Sequence, residues 1–376
     1  MYIKTLELKD FRNYDNLFME FHNGINILYG DNAQGKTNIL EAIYICSTTK
    51  SHKGSKEKEI IKMDKEEAHL RILVDRDHTT HKVDMHLKKN KPKGVAIDGL
   101  PIKKSGELFG VVNIVFFSPE DLSIIKNGPS DRRRFIDLEL CQLDKVYLYN
   151  LTNYNKIISQ RNNLLKQISF NRKLLDTLSI WDMQLVEYGT QIIQRRKLFI
   201  KQLNEIVYDI HKKLSGDKEE LKINYEPNVS IEDFAGKLAG SQERDITLKM
   251  TNVGPHRDDI SFLNGAIDIR KFGSQGQQRT AALSLKLAEL ELVKKITRDK
   301  PILLLDDVLS ELDRKRQNYL LNSIHDIQTI ITCTGLEEFI ANRMECDNIY
   351  RVVEGTVTNE NTLTLEFIHR KTGGNL

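Results

Sequence analysis

Two stretches of this chain carry residues spaced for phosphate chemistry. Gly30-Asp31-Asn32-Ala33-Gln34-Gly35-Lys36-Thr37 fits G-x-x-x-x-G-K-[ST] at every fixed position. Its glycines let successive backbone N–H groups curl around an anion. Lys36 offers an ammonium to the β- and γ-phosphates, and the Thr37 hydroxyl is a Mg²⁺ ligand. Far downstream, Ile302-Leu303-Leu304-Leu305-Asp306-Asp307 is an apolar run ending in two carboxylates, the Walker B pattern. Asp306 suits the metal, held directly or through water. Asp307 suits the water that attacks the γ-phosphate. The expected catalytic residues are Lys36, Asp306 and Asp307. The expected metal ligands are Thr37 and Asp306, and the expected cofactors are ATP and Mg²⁺. Arg12, in a loop beside the P-loop strand, is a further candidate for the nucleotide.

A second anion site is written at Gly273-Ser274-Gln275-Gly276-Gln277-Gln278-Arg279, which opens a helix. One chain already holds a complete phosphate cradle. An ABC-type ATPase uses both features by dimerising head to tail, so that Ser274, Gln275, Gly276 and Gln277 cap the partner's γ-phosphate in trans. Ser310-Glu311-Leu312-Asp313 directly after the carboxylates resembles the D-loop of such an interface, with Ser310 and Asp313 as its polar members. Transporter ATPases carry a switch histidine after the next strand. Cys333-Thr334-Gly335 has none, and Thr334 is the substitute on offer.

These residues need particular elements to hold them. Ile25–Tyr29 predicts a strand and Asn38–Ile43 the start of a helix, the strand–loop–helix order that a P-loop requires. Alternation in 69–74, 82–87 and 95–98 predicts an antiparallel meander. After Ser118-Pro119-Glu120-Asp121, apolar residues recur at three- and four-residue steps from Leu143 to Leu165 and from Trp181 to Leu203, which predicts two packed helices. Strand and helix patterns return beyond about 245, with a hairpin signal at Asn264-Gly265. The expected fold is α/β: an ABC-type ATPase head, made of a P-loop sheet plus an antiparallel β meander, with a helical coiled-coil-like insertion domain. Its parts are expected at 1–117, 118–240 and 241–376.

Composition sets limits. The chain has 376 residues, 40% hydrophobic and 29% charged, and a net charge of +3, so any nucleic-acid surface must be a local patch. No apolar run approaches the roughly 18 residues that span a bilayer, and no membrane partner is expected. The four cysteines form no C-x-x-C, which fits a reducing, cytoplasmic setting without cysteine-bound zinc or disulfides. Candidate DNA contacts are Lys50 and His52, Lys89 and Lys91 at a basic hairpin tip, and Arg132 in Arg132-Arg133-Arg134. His256-Arg257-Asp258-Asp259 lacks ligand spacing and reads as a structural turn.

The chain resembles the RecF family of bacterial recombination mediators, relatives of the SMC-type ATPases, over essentially its whole length. Beside the P-loop, signature and Walker B, the resemblance rests on Phe11-Arg12-Asn13-Tyr14, Thr48-Thr49-Lys50-Ser51-His52, Phe117–Leu122, Gly128-Pro129 with Arg132–Phe135, Gln160-Arg161-Asn162 and Gly254–Asp259. It implies a weak, Mg²⁺-dependent, DNA-stimulated ATPase acting as a switch, and an ATP-dependent homodimer. That dimer would bind duplex DNA near single-strand gaps and help load RecA with RecO and RecR, supporting the SOS response. A transporter ATPase subunit is disfavoured by the helical insertion, the absent histidine and Gln275. An ATPase-coupled nuclease would need an added acidic metal centre.

Overall fold

The computed structural model describes residues 1–76, 79–336 and 346–360. Packing divides the chain into two compact units, one of residues 1–120 with 293 onward, the other of residues 121–292.

The first unit holds two six-stranded sheets. One is wholly antiparallel, in the order 14–20, 2–11, 67–76, 79–88, 94–97, 100–101. The expected meander forms its centre, and side chains alternate between buried and exposed along 67–76, as a half-buried strand requires. The other sheet runs 356–359, 348–353, 25–29, 329–333, 302–306, 114–117, parallel except at the 356–359 edge. Ile302–Asp306, Thr329–Cys333 and Ile114–Phe117 are short and buried throughout, the signature of a parallel strand covered on both faces, whereas Asn348–Val353 and Thr356–Asn359 toward the edge are partly exposed.

The helix Lys36–Thr48 contacts strands of both sheets and is buried along almost its whole length. A helix apolar on every side belongs inside a layered head, and this one fixes the P-loop at its N-terminus. Gln328 links the two sheets: its carbonyl accepts from Ile3 N at 2.7 Å, and its amide donates to Ile3 O at 2.8 Å and His22 O at 2.9 Å.

The second unit is built on Lys145–Ile168 and Leu178–Ser215, two long helices that pack on each other as expected. The second, at 38 residues, is about 57 Å long. Asp144 caps the first by accepting from Val146 N and Tyr147 N, and Gly216 ends the second at φ 70°. Pro119 opens only a short turn. The chain breaks at Asn127-Gly128 before the helix Pro129–Leu143.

A three-stranded antiparallel sheet, 222–226, 259–264 and 267–268, packs against the long helix, and the Asn264-Gly265 turn is present. Packing thus sets the second boundary at 292/293 rather than at the 240/241 expected from texture. The reason is that strand 259–264 pairs with 222–226, and both belong to the helical unit.

Three buried arginines organise this unit. Arg196 donates to Asp137, Asp258, the Tyr147 hydroxyl and Pro255 O; Arg161 to Asp182, Asp245 and Thr251. Arg132 forms a two-pronged pair with Asp259 at 2.6 and 2.9 Å and donates to Asn127 O. Removing one partner of such a pair would leave a buried charge uncompensated, a loss of about 3–5 kcal/mol.

The His256 turn is structural. Thr251 O can only accept, so His256 Nε2 carries the proton and Nδ1 accepts from the Tyr154 hydroxyl at 2.8 Å. Gly254 sits at φ 133°, and a Cβ there would meet that hydroxyl at 2.3 Å. Burial lowers the His256 pKa to about 4, and burial likewise lowers that of His52 to about 4. A histidine depressed on folding adds stability that is complete above the unfolded value near 6.5 and is lost as pH falls toward 4. The thermal midpoint should therefore drop between pH 7 and 5. His256→Gln, which keeps one donor and one acceptor, should flatten that drop by about 2–4 °C. An unchanged slope in calorimetric scans would refute the assignment.

Candidate functional site

The P-loop runs from the strand Ile25–Tyr29 to the helix Lys36–Thr48, with Gly30 at φ 149°, Ala33 at φ 64° and Gly35 at φ 114°. Two of these glycines are required by close approach. A Cβ on Gly30 would meet Val352 O at 2.3 Å, and one on Gly35 would meet the Asn13 amide at 2.5 Å and the Tyr14 hydroxyl at 2.8 Å. Asp31, Asn32 and Ala33 are exposed at the loop's crest.

The loop is held from outside by residues that no phosphate motif includes. Tyr14 donates to Gly35 O at 3.1 Å and Asn13 to Gln34 O at 3.1 Å. Asn38 donates to Asn13 at 2.8 Å, and Glu354 N donates to the Gln34 side chain at 2.6 Å. These supports preorganise the backbone that would face a phosphate.

Lys36 is buried, and its ammonium donates to Gly30 O at 2.6 Å and Asp31 O at 2.8 Å, inside the loop it would serve. Thr37 donates to Asp306 Oδ1 at 2.8 Å, so the two expected metal ligands are already in contact. Thr332, on the neighbouring strand, donates to the same oxygen at 2.8 Å, and its hydroxyl accepts from Asp307 N at 3.0 Å. It orients the Asp306 carboxylate and fixes the Asp307 backbone. Thr334, the offered switch, is exposed at the end of that strand. Asp307 has φ 56°, which turns its side chain off the strand. Burial raises its carboxyl pKa; Lys36 opposes that shift, while Asp306 and Glu311 add to it.

Ser310 donates to Asp307 O at 2.8 Å, and Asp313 caps the helix Arg314–Ser323 through Arg316 N at 3.0 Å. Both side chains are exposed.

Arg12 is used differently from a simple nucleotide contact. It grips Glu41 of the P-loop helix with two bonds of 2.8 Å and donates to Ser55 and Glu59 O, which leaves one N–H donor. Burial opposes the charge on Glu41, but Arg12 and Ser51 outweigh it and hold that carboxyl below its ordinary value.

In the second unit, the helix Gln275–Thr297 begins with a reciprocal capping box. Gln277 N donates to the Ser274 hydroxyl at 3.2 Å, and Ser274 N to the Gln277 side chain at 2.8 Å. Ser274, Gln275 and Gly276 are exposed there, while Gln277 is tethered to Glu219. The Ser274 oxygen accepts here, and its hydroxyl keeps one O–H donor to offer.

Two candidate DNA contacts are corrected. Arg132 is 1% exposed and held inward by Asp259 and Asn127, so it offers no surface charge to a phosphate. The His52 ring lies on Phe116, 4.3 Å between centroids, and beside Tyr44 at 5.7 Å. With a pKa near 4 it is neutral and brings no charge to DNA. Lys50 and Lys91 are exposed, and Lys89 is partly exposed beside Glu66. Lys93, not singled out by the sequence reading, anchors the hairpin tip to Thr49 O at 2.6 Å. Among the described residues, no helix is long and apolar enough to cross a membrane.

The RecF/RecN/SMC N-terminal domain family model matches residues 2–359. The chain is 69% identical over 357 residues to the DNA replication and repair protein RecF of Lachnoclostridium phytofermentans, covering 95% of this chain and 99% of that one. It is 45% identical over 362 residues to the RecF of Clostridium perfringens, covering 95% and 99%. A solved structure described as the recombination mediator protein RecF with ATP in the RecFOR pathway superposes with a TM-score of 0.90 at 39% identity, covering 96% and 97%. The Smc head domain of Pyrococcus furiosus, at 17% identity and TM-score 0.57 over 99% of each chain, shares the fold.

Proposed function

The chain belongs to the RecF family, and from that premise we propose that it is an ATP-gated DNA clamp of replication and repair. ATP and Mg²⁺ bind at Gly30–Thr37 with Asp306. A second copy caps the γ-phosphate through Ser274–Gln277, and hydrolysis assisted by Asp307 releases the pair. The dimer holds duplex DNA near single-strand gaps and works with RecO and RecR to load RecA, in support of the SOS response, in the cytoplasm. The name of the structural relative, a mediator of the RecFOR pathway seen with ATP, supports the partners and the nucleotide. One observation carries the reading: Thr37 and Asp306 meet at 2.8 Å, so the P-loop and Walker B strand present one metal site at the N-terminus of a buried helix. Arg12 positions the P-loop helix through Glu41 and keeps one donor for the nucleotide.

DNA affinity tests the clamp. Phosphate contacts release counterions, so binding of a gapped duplex with ATP should fall about 10³-fold or more between 50 and 200 mM salt if six or more phosphates are engaged. It should change little with base sequence. Lys50→Ala with Lys91→Ala should flatten the salt slope by about two. Salt-independent or ATP-independent binding in fluorescence anisotropy would overturn the proposal.

A further inference from the structure

The antiparallel sheet of the first unit carries a side-chain group that the nucleotide site leaves unused. Glu67 and His69 are two residues apart on the strand Glu67–Arg76, so they share a face. His86, on the strand Thr79–Lys88, lies directly opposite His69. The two imidazoles stack, with centroids 4.0 Å apart and planes at 21°. The Glu67 carboxylate reaches both rings: one oxygen is 3.1 Å from His86 Nε2, the other 3.7 Å from His69 Nε2. The three donor groups lie within 4.8 Å of one another. The two histidines line a shallow concavity of about 760 Å³ on the sheet face, together with Lys9, Phe18 and Met85.

We propose that Glu67, His69 and His86 form a binding site for a divalent transition-metal ion, Zn²⁺ being the best fit. Two imidazoles and one carboxylate make the donor set of an open zinc site, in which the fourth position takes water. Hard cations such as Mg²⁺ and Ca²⁺ need oxygen cages, and a single carboxylate does not supply one. Tetrahedral zinc with bonds of 2.0–2.1 Å sets its donor atoms roughly 3.3 Å apart. The distances of 3.1 and 3.7 Å to the carboxylate lie on either side of that value. Stacked rings aim their lone pairs side by side, so a rotation about χ2 must turn them inward. Both rings have room for it, at 46% and 35% exposure.

The bland alternative is a surface ion-pair cluster, because Lys88 also holds Glu67 at 3.0 Å. Lys88 is 40% exposed on a flexible stem and can swing into solvent when a cation replaces it. What favours the metal is that two imidazole Nε2 atoms, from adjacent strands, lie 3.7 and 3.1 Å from one carboxylate. A metal there would pin the two strands together, remote in sequence from every residue assigned to ATP.

Calorimetric titration of the full chain with ZnCl₂, without nucleotide, tests the site. Saturable binding near one equivalent is expected, with a rise in the thermal midpoint. His69→Gln and His86→Gln should each weaken it by roughly tenfold or more, since losing even an outer partner of a ligand costs 10- to 100-fold. Both positions are partly exposed, so the variants should fold. Co²⁺ should give d–d absorption without a thiolate charge-transfer band, which distinguishes this site from Cys346. Absence of saturable binding, wild-type affinity in either variant, or a thiolate band would each overturn the proposal.

Discussion

Chains carrying Asp307→Asn are expected to bind ATP about as tightly as the wild type and to hydrolyse it about 10²- to 10³-fold more slowly, collecting as an ATP-bound dimer. A positioned general base contributes that range. Geometry makes the substitution clean. Asp307 sits at φ 56°, a conformation that asparagine tolerates at least as well as aspartate. Its backbone N–H keeps its bond to Thr332, and the Thr37–Asp306 contact does not involve its side chain. Burial raises the pKa of the Asp307 carboxyl, which makes it a better proton acceptor.

Asp306→Asn should behave differently. Its oxygen could still accept from Thr37 and Thr332, but the charge that neutralises Mg²⁺ is gone, so Mg²⁺-dependent ATP binding itself should weaken. Fluorescent-nucleotide binding and single-turnover hydrolysis separate the two. If both variants lose binding and turnover alike, the division of labour is wrong.

The second large effect concerns the signature residues. Ser274→Arg should leave ATP binding by the single chain nearly intact and abolish ATP-induced dimerisation, with hydrolysis falling alongside. Ser274 is exposed at a capped helix start, so the arginine costs the chain itself little and loads an interface with bulk and charge. Mixing with Lys36→Ala decides whether the signature acts in trans. In a two-fold dimer of one variant with the other, one composite site joins the intact P-loop of the Ser274→Arg chain to the intact signature of the Lys36→Ala chain. The other site gathers both defects. Only the mixed dimer keeps an intact site to hold it together, one of its two, so a measurable part of the wild-type rate should return, up to about a quarter if pairing is random. A signature acting within its own chain leaves both sites broken, and a mixture no faster than its separate components would end the in-trans account.

Much of the site is legible because its information is local. Lys36, Thr37, Asp306 and Asp307 each announce themselves within eight residues of glycine or apolar pattern, and the parallel strands are readable as unbroken apolar runs. What stays hidden depends on partners far along the chain. Tyr14 and Asn13 read as a polar turn until Gly35 is folded onto them. Thr332 is one of two threonines in the strand Thr329–Cys333, and only strand order sets it beside Asp306. Arg132 reads as surface charge because Asp259, which buries it, is 127 positions away. His52 reads as a surface residue among its lysine neighbours, but the ring of Phe116 decides its environment. His69 and His86 share no motif at all; a strand register unites them.

The placement of the P-loop strand has a consequence for synthesis on the ribosome. Ile25–Tyr29 lies between Thr329–Cys333 and Asn348–Val353, and its register pairs Thr329 with Ile25. The nucleotide cradle emerges early, yet both strands that flank it are translated about 300 residues later. At roughly 5–20 residues per second the first strand waits about 15–60 s for them. The unit of residues 121–292 is contiguous and has all its residues before then, so it is placed to fold first. Until the last strands arrive, Ile25, Ile27 and Leu28 lack the neighbours that bury them in the finished head. Each nascent chain thus completes its nucleotide site last, and a chain cut short before Thr329 holds all of residues 121–292 but lacks the strand that carries Thr332.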